Sequence, residues 1–419
     1  MTTDKQDAPL KPPSLFWKYW SATAISGAGS AVTVVALPLT AVLALHASAF
    51  EVSLVTAANY VAWIVLGLPA GVITQRVPLR AMQVAMDLVR AVAIGSVPVT
   101  WFLGRLTVVQ LVLVALVISF ANVLFDVSNS TFVPTVVDRA HLTARNSLLS
   151  GTRAVTQLGG PSLGGVLVQL LNAAPTLLVD AVSYVISAVL LRTLPRGVVQ
   201  RPDAPPRTGA MIREGWRFVT RHPVMRPCMG VATAVNFVSG GLLALTPVYL
   251  VRDLHLAPGI VGLLIATDGV GSLVGATLTP RLSRTMGSAR AVLTASVAVV
   301  VTALLMPAGL GVPGIVLFAL GNTGYTASVT VSSISTRTYR QVASPPELLS
   351  RVMATVRFVS WGVVPLGSLL AGAVATSLGP HAALWLFCAL TCIVPLLVFS
   401  TPVRRLHDLT DYESDDVVR

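Results

Sequence analysis

Charge is what this chain has least of. Only 11% of its 419 residues are Asp, Glu, Lys or Arg, whereas soluble domains carry about 25%. With 54% apolar residues and a mean hydropathy of +0.77, the chain cannot cover a water-facing surface. A soluble globular fold is excluded, and an all-α integral membrane protein is expected. Cysteine is scarce too. Cys228, Cys388 and Cys392 occupy apolar positions where a thiol packs as a small hydrophobe, so neither a disulfide framework nor a metal or redox site is expected. The six histidines, His46, His141, His222, His255, His381 and His407, fall in loops or in the tail, and none is placed to relay protons inside a bilayer. An intramembrane enzyme would need a nucleophile and base, or clustered metal ligands, within the hydrocarbon. The chain supplies neither, and no cofactor is expected.

What is present is a succession of apolar runs long enough to cross a membrane. They are expected near Tyr19 to Leu45, Val52 to Thr74, Ala81 to Leu103, Leu106 to Asn129, Ser147 to Leu171 and Thr176 to Leu194. A second set is expected near Cys228 to Val251, Gly259 to Pro280, Arg290 to Pro307, Gly314 to Ser335, Met353 to Leu378 and Ala382 to Pro402. Between the sets lies a Pro- and Arg-rich connector, too charged to enter hydrocarbon and read as a loop. The organisation expected is a six-helix half over residues 1–194, a linker over 195–226, a second six-helix half over 227–402 and an acidic tail over 403–419. The first run has no small-residue cleavage site after it and reads as an uncleaved helix.

One stretch is written twice. Arg153 is followed by Pro161 and Arg357 by Pro365, both pairs separated by 204 residues along the chain. That offset is close to half the chain, as two structural repeats would give. With the N-terminus inside, 24 of the 29 Lys and Arg residues fall on the cytoplasmic side and only Arg105 and Arg252 outside. This asymmetry predicts cytoplasmic termini in a cell (plasma) membrane. Anionic lipid of the inner leaflet accounts for the net charge of +12, and no nucleic-acid partner is implied.

Carboxylates within the runs carry the functional signal, because an ionised Asp at mid-bilayer costs about 2.5 to 3.5 kcal/mol. Asp87 lies three residues before Arg90 on one helix face and reads as a self-neutralising structural pair. Asp126 is expected either to latch the cytoplasmic side against Arg76 or Arg80 or to be structural, and it is a further proton-coupling candidate. Asp180 reads as a proton-coupling candidate or as a solvated or backbone-paired acid near the outer start of its helix. Asp268 comes about 13 Å into its span with no basic residue on that helix to pair with. It is suited to taking up and releasing a proton as water access changes, or else to remaining neutral and hydrogen-bonded to a neighbouring helix.

Gly160, Pro161, Gly164 and Gly165 remove side chains and a backbone donor from the fifth run, allowing close helix approach and bending. A central path is expected from Asn59, Tyr60, Asn122, Gln157, Asn236, Asn322, Tyr325 and Trp361, each of which has an interhelical hydrogen bond as its alternative. Aromatic and amide side chains together suit a partly apolar ligand better than a sugar or an ion.

Taken in order, VALPL from Val35, DLVRA from Asp87, FDVSNSTFVP from Phe125, ARNSLLS from Ala144, GGPSLGG, RHPVMR from Arg221 and LLSRVMA from Leu348 resemble the major facilitator superfamily. Within it, they are similar to the macrolide-efflux and enterobactin-exporter branch. The resemblance implies twelve transmembrane helices in two six-helix pseudo-repeats. The Gly-Pro-x-x-Gly-Gly match at Gly160 to Gly165 implies export by proton antiport. Gating would involve Gly71, Arg76 and Arg80 in the loop after the second helix, together with Arg153, Gly160, Pro161, Gly164, Gly165, Arg357 and Pro365. The loop departs from the family pattern, with Gln75 where an Asp is usual and Pro78 where a Gly is common, so the latch is altered or is carried by Asp126 with Arg80. Asp268 also stands at a position usually apolar in the branch. The expected function is proton-driven export of an amphipathic organic molecule such as an antibiotic, siderophore or other secondary metabolite, with protons and membrane lipid as partners. The alternatives are an importer or a lipid flippase on the same scaffold.

Overall fold

The computed structural model describes residues 12–66, 77–137, 141–195, 208–309 and 311–412. Among these residues the chain is helical throughout, with twelve helical spans long and apolar enough to cross a membrane. In chain order the helices are α1 (Pro13–Leu39, continued by a π turn Thr40–Ala44), α2 (Ala49–Leu66), α3 (Leu79–Phe102), α4 (Val108–Val136), α5 (Leu142–Leu171) and α6 (Ala173–Arg192). Then follow α7 (Thr208–Arg221), α8 (Met225–Arg252), α9 (Pro258–Met286), α10 (Ser288–Leu305), α11 (Gly311–Ala343), α12 (Pro346–Gly362), α13 (Val364–Leu378), α14 (Pro380–Leu390) and α15 (Ile393–Phe399). The eleventh span is α12 with α13, and the twelfth is α14 with α15. Large apolar side chains such as Val92, Val155 and Leu170 point outward and are exposed, as a lipid-facing surface requires.

Several helices outrun their expected hydrophobic runs. α4 continues to Val136, α9 to Met286 and α11 to Ala343. Hydropathy marks only the hydrocarbon slab, whereas the backbone hydrogen-bond ladder continues for as long as the sequence tolerates it. The extension of α11 carries Arg337 and Arg340 as part of a helix rather than a loop. The connector also differs from its reading as a loop. Its second part is α7, in which Gly215 and Val219 are buried one turn apart while Arg213, Glu214 and Arg217 are exposed. A short amphipathic helix of this kind is masked in a composition-level reading by its charge. α7 docks on α12, where Glu214 pairs with Arg351. A Cβ on Gly215 would lie 2.9 Å from the Arg351 carbonyl oxygen.

Left-handed turns expose the internal repeat. His46 and His255, Gly104 and Gly311, and Asn172 and Gly379 all have positive φ, and members of each pair lie 209, 207 and 207 residues apart. They follow the first, third and fifth spans of each set of six. Equivalent corners are thus turned by equivalent backbone conformations, although only three of these six residues are glycine.

The two repeats of the Arg-to-Pro stretch bend differently. Pro161 sits inside the continuous helix α5. The counterpart containing Pro365 is broken, α12 ending at Gly362 and α13 starting at Val364. The spans meet through small residues. Gly367 of α13 abuts the Phe237 backbone of α8, the Ser368 hydroxyl donates to the Gly240 carbonyl at 2.8 Å, and Gly372 faces Ser53 of α2. With a backbone face on each side, helices approach more closely than bulky side chains would permit.

Candidate functional site

Two cavities lie between the helices of the bundle. The first, of about 620 Å³, is lined mainly from α1, α2, α4, α5 and α6 and includes Asn59, Tyr60, Arg90, Asn122, Asp126, Arg153, Gln157, Arg357 and Trp361. The second, of about 690 Å³, lies between α8, α11 and α12 and includes Asn236, Ser332, Thr336, Arg337, Arg340, Arg357 and Ser360. Trp63, Arg357 and Trp361 line both. The Arg357 guanidinium lies over the Trp63 ring at 4.2 Å and the Trp361 ring at 5.3 Å, and the two indoles are 5.4 Å apart. Cation–π contact holds this charged partition in place.

In the first cavity Asp126 is the one lining carboxylate among the described residues, and Arg90, Arg153 and Arg357 line the same space within electrostatic range of it. Arg153 and Arg357, the equivalent residues of the repeated stretch, therefore both line the cavity that holds Asp126. The expected latch between Asp126 and Arg80 takes another form. Arg80 donates to the carbonyls of Arg192 at 3.3 Å and Leu194 at 2.5 Å, closing the C-terminal end of α6. Free carbonyls at a helix end attract a guanidinium strongly. Gly71 and Arg76 lie outside the described residues.

Arg90 is a cavity residue that sequence reasoning treated only as the partner of Asp87. It forms that ion pair, donates to Asn122 Oδ1 at 2.8 Å and stacks over Phe125 and Tyr184 at 4.3 and 4.4 Å. Asp87 and Arg90 are both buried, so the self-neutralising pair is present and has a wider set of contacts than i,i+3 spacing alone conveyed.

Asp180 departs from its expected setting near interfacial water. It is fully buried between α6 and α1, accepting hydrogen bonds from Thr33 at 2.5 Å and Ser183 at 3.1 Å. Helix α6 starts at Ala173, and α1 packs over the acid because Gly29 leaves room for it: a Cβ there would be 2.5 Å from Asp180 Oδ1. Asp268 lies within α9 and accepts a hydrogen bond from Thr326 of α11. Leu263, Val270 and Val274 form the exposed apolar face of α9; at 100° per residue Asp268 falls roughly opposite them, toward the bundle. Its side chain is exposed there, and Tyr60 and Tyr325 are in electrostatic range. Arg281 and Arg284 share α9 but are more than three turns away. Among the described residues no cation forms an ion pair with Asp268.

The proposed path residues divide. Asn59, Tyr60, Asn122, Gln157 and Trp361 line the first cavity, and Trp361 also lines the second with Asn236. Asn59 and Asn236 bond back to their own helices, at 3.1 Å to Val55 O and 2.8 Å to Ala232 O. Asn322 and Tyr325 line neither. Asn322 bridges to Thr267 at 3.0 Å and Tyr325 to Ser239 at 2.8 Å, tying α11 to α9 and α8. Gly160 and Gly164 face Ala31 and Val32 of α1, whereas Gly165 and the Pro161 carbonyl face Gly262 of α9. The glycine motif thus grips a neighbour on each side.

Residues 6–417 match the family described as transmembrane secretion effector. The multidrug efflux pump Tap of Mycolicibacterium fortuitum is 28% identical over 403 residues, covering 92% of this chain and 94% of that protein. The uncharacterized MFS-type transporter YvqJ of Bacillus subtilis is 22% identical over 79% of each chain. Among solved structures, the nucleoside transporter NupG superposes with TM-score 0.73 at 13% identity, over 92% of this chain and 98% of that one. An inward-facing bacterial homologue of the iron transporter ferroportin gives 0.70 at 17% identity, over 92% and 98%. At such identities the structures establish the fold, and the family match does the rest: the chain is a multi-pass membrane transporter of the major facilitator superfamily, belonging to its transmembrane secretion effector family.

Proposed function

We propose that this transporter exports an amphipathic small organic molecule and couples export to inward proton movement. The observation that carries the reading is the first cavity, where Tyr60, Trp63 and Trp361 supply apolar faces beside Asn122, Gln157, Asp126 and arginines. Such a lining takes a molecule with an apolar body and a few polar groups. The similarity to a multidrug efflux pump favours export over import or lipid flipping. In this reading the halves 1–194 and 227–402 rock about the cavities, with both termini cytoplasmic. Asp268 carries the coupling proton, because it faces the bundle and lacks a cationic partner among the described residues, whereas Asp126 is surrounded by arginines. Proton entry down 100 mV supplies about 2.3 kcal/mol per charge. The test is accumulation of a panel of fluorescent amphipathic compounds in cells with and without the protein, followed by transport direction in proteoliposomes. Lower accumulation in expressing cells supports export. Higher accumulation assigns an importer instead, and movement of labelled phospholipid alone assigns a flippase.

A further inference from the structure

The second cavity has a charge composition that export of an amphipathic molecule does not by itself require. Arg337, Arg340 and Arg357 line it, and no carboxylate does among the described residues. Arg337 is in electrostatic range of both other guanidiniums. Arg340 is only 7% exposed, and its Nε and Nη1 have no hydrogen-bond partner among the described residues. Arg357 has Asp126 in range from the first cavity; among the described residues Arg340 has no carboxylate in range, and the group that favours its charge is the Cys228 thiol. Ser332 and Thr336 hydroxyls stand on the same wall. The cavity lies toward the end of the bundle that carries α7, since the ring of His222, just after α7, is 6.1 Å from that of Tyr339.

Guanidinium groups repel one another and are costly to bury without hydrogen-bond acceptors. Their planar forks match the paired oxygens of a carboxylate or phosphate. We propose that the second cavity binds the anionic group, a carboxylate or phosphate, of an amphipathic ligand whose apolar body reaches the Trp63 and Trp361 partition. Resting on the export reading, this deepens it by making organic anions the preferred substrate class. A lipid headgroup presents the same chemistry as a soluble organic anion, and both would satisfy Arg340.

The test is equilibrium binding to the full-length protein in phosphatidylcholine nanodiscs, which does not depend on transport direction or proton coupling. A failed export assay therefore leaves its result intact. Two xanthene dyes serve as probes, anionic fluorescein and cationic rhodamine 6G, followed by fluorescence anisotropy. The expected result is saturable fluorescein binding weakened at least tenfold by Arg337→Gln with Arg340→Gln, with rhodamine 6G unaffected or strengthened. The Arg337→Lys, Arg340→Lys protein, which keeps both charges but loses the planar forks, should bind fluorescein more weakly than the parent and more tightly than the Gln variant, and controls for folding. Repeating the titration with phosphatidylglycerol in the disc separates the sources. Displacement of the dye, with phosphatidylglycerol carried by the parent but not by the Gln variant in native mass spectra, assigns a lipid headgroup. Binding indifferent to that lipid assigns a soluble anion. An equal loss of both dyes in the Gln variant, or neither fluorescein binding nor retained phosphatidylglycerol in the parent, overturns the proposal.

Discussion

Gly165 of α5 and Gly262 of α9 meet backbone to backbone: a Cβ on Gly165 would lie 2.8 Å from the Gly262 Cα and 2.6 Å from the Pro258 carbonyl oxygen. The contact joins the first set of six spans to the second, so it has to loosen or slide if the halves rock. Gly165→Leu should hold these helices apart and reduce efflux at least tenfold, while the protein still inserts into the membrane. Gly164→Leu strikes the other neighbour, where a Cβ would sit 3.0 Å from the Val32 carbonyl oxygen, and should also lower efflux. Unchanged efflux in both variants would show that these glycines serve neither close packing nor motion.

Arg90 has a structural load that exceeds its place in the cavity. Removing one partner of a buried ion pair leaves the other uncompensated, at a cost of about 3 to 5 kcal/mol. Arg90→Leu should therefore lower the unfolding temperature of the detergent-purified protein by several degrees. Asp87→Leu combined with Arg90→Leu should recover part of that loss, since no charge is then stranded. Thermal melts of the three proteins check this.

The Arg357 partition should discriminate between charge and shape. Arg357→Lys keeps the charge but loses the flat group stacked over Trp63 and Trp361, so it should not restore parent efflux. Arg357→Gln loses both and should reduce efflux by about tenfold, equivalent to about 1.4 kcal/mol. Dye efflux from preloaded cells provides the comparison.

Asp408 ties the C-terminal segment to α10. It accepts from the Ser288 backbone N–H at 2.7 Å and hydroxyl at 2.9 Å, and the backbone hydrogen bond from Ser288 leads the causes that hold its carboxyl below the ordinary carboxylate range. A carboxyl depressed in the folded state contributes stability above its unfolded value of about 4 and loses it as pH falls through the lower folded value. Protection of the Ser288 and Leu409 amides, taken relative to their intrinsic exchange rate at each pH, should thus be full at neutral pH and fall only in strong acid. Asp408→Asn should lower it already at pH 7.

Much of the fold was legible because hydrocarbon imposes a simple rule on sequence: the twelve apolar runs and the duplication follow from composition and from the 204-residue spacing of Arg153 with Arg357. The ends of helices were less legible. Arg337 and Arg340 look like loop residues by hydropathy, yet they continue α11 into the wall of a cavity. Helix α7 was hidden for the same reason, its Gly215 and Val219 face being outweighed by surrounding charge. At the site, spacing brought Asp87 to Arg90, but only tertiary packing could show that Arg90, Arg153 and Arg357 line a cavity with Asp126. Arg80 illustrates the converse. A basic residue near a span end suggests a carboxylate partner, although the unsatisfied carbonyls of Arg192 and Leu194 were equally attractive. Asp180 was misplaced because depth along a helix says nothing of a neighbour, and α1 covers it.

Proton movement driven by substrate is the most direct measurement of the proposed mechanism. The parent protein, reconstituted in liposomes containing a trapped pH dye, should move protons when an exported compound is added, against the direction of that compound. Asp268→Asn keeps the size of the side chain and an acceptor for the Thr326 hydroxyl, but it cannot ionise. It should abolish the proton signal and uphill transport while sparing insertion and downhill exchange, and Asp268→Glu should retain part of both. A parent-like proton signal from the Asn variant would contradict the role given to Asp268 and move it to Asp126 or Asp180. Uphill export by the parent with no proton movement at all would contradict proton antiport itself.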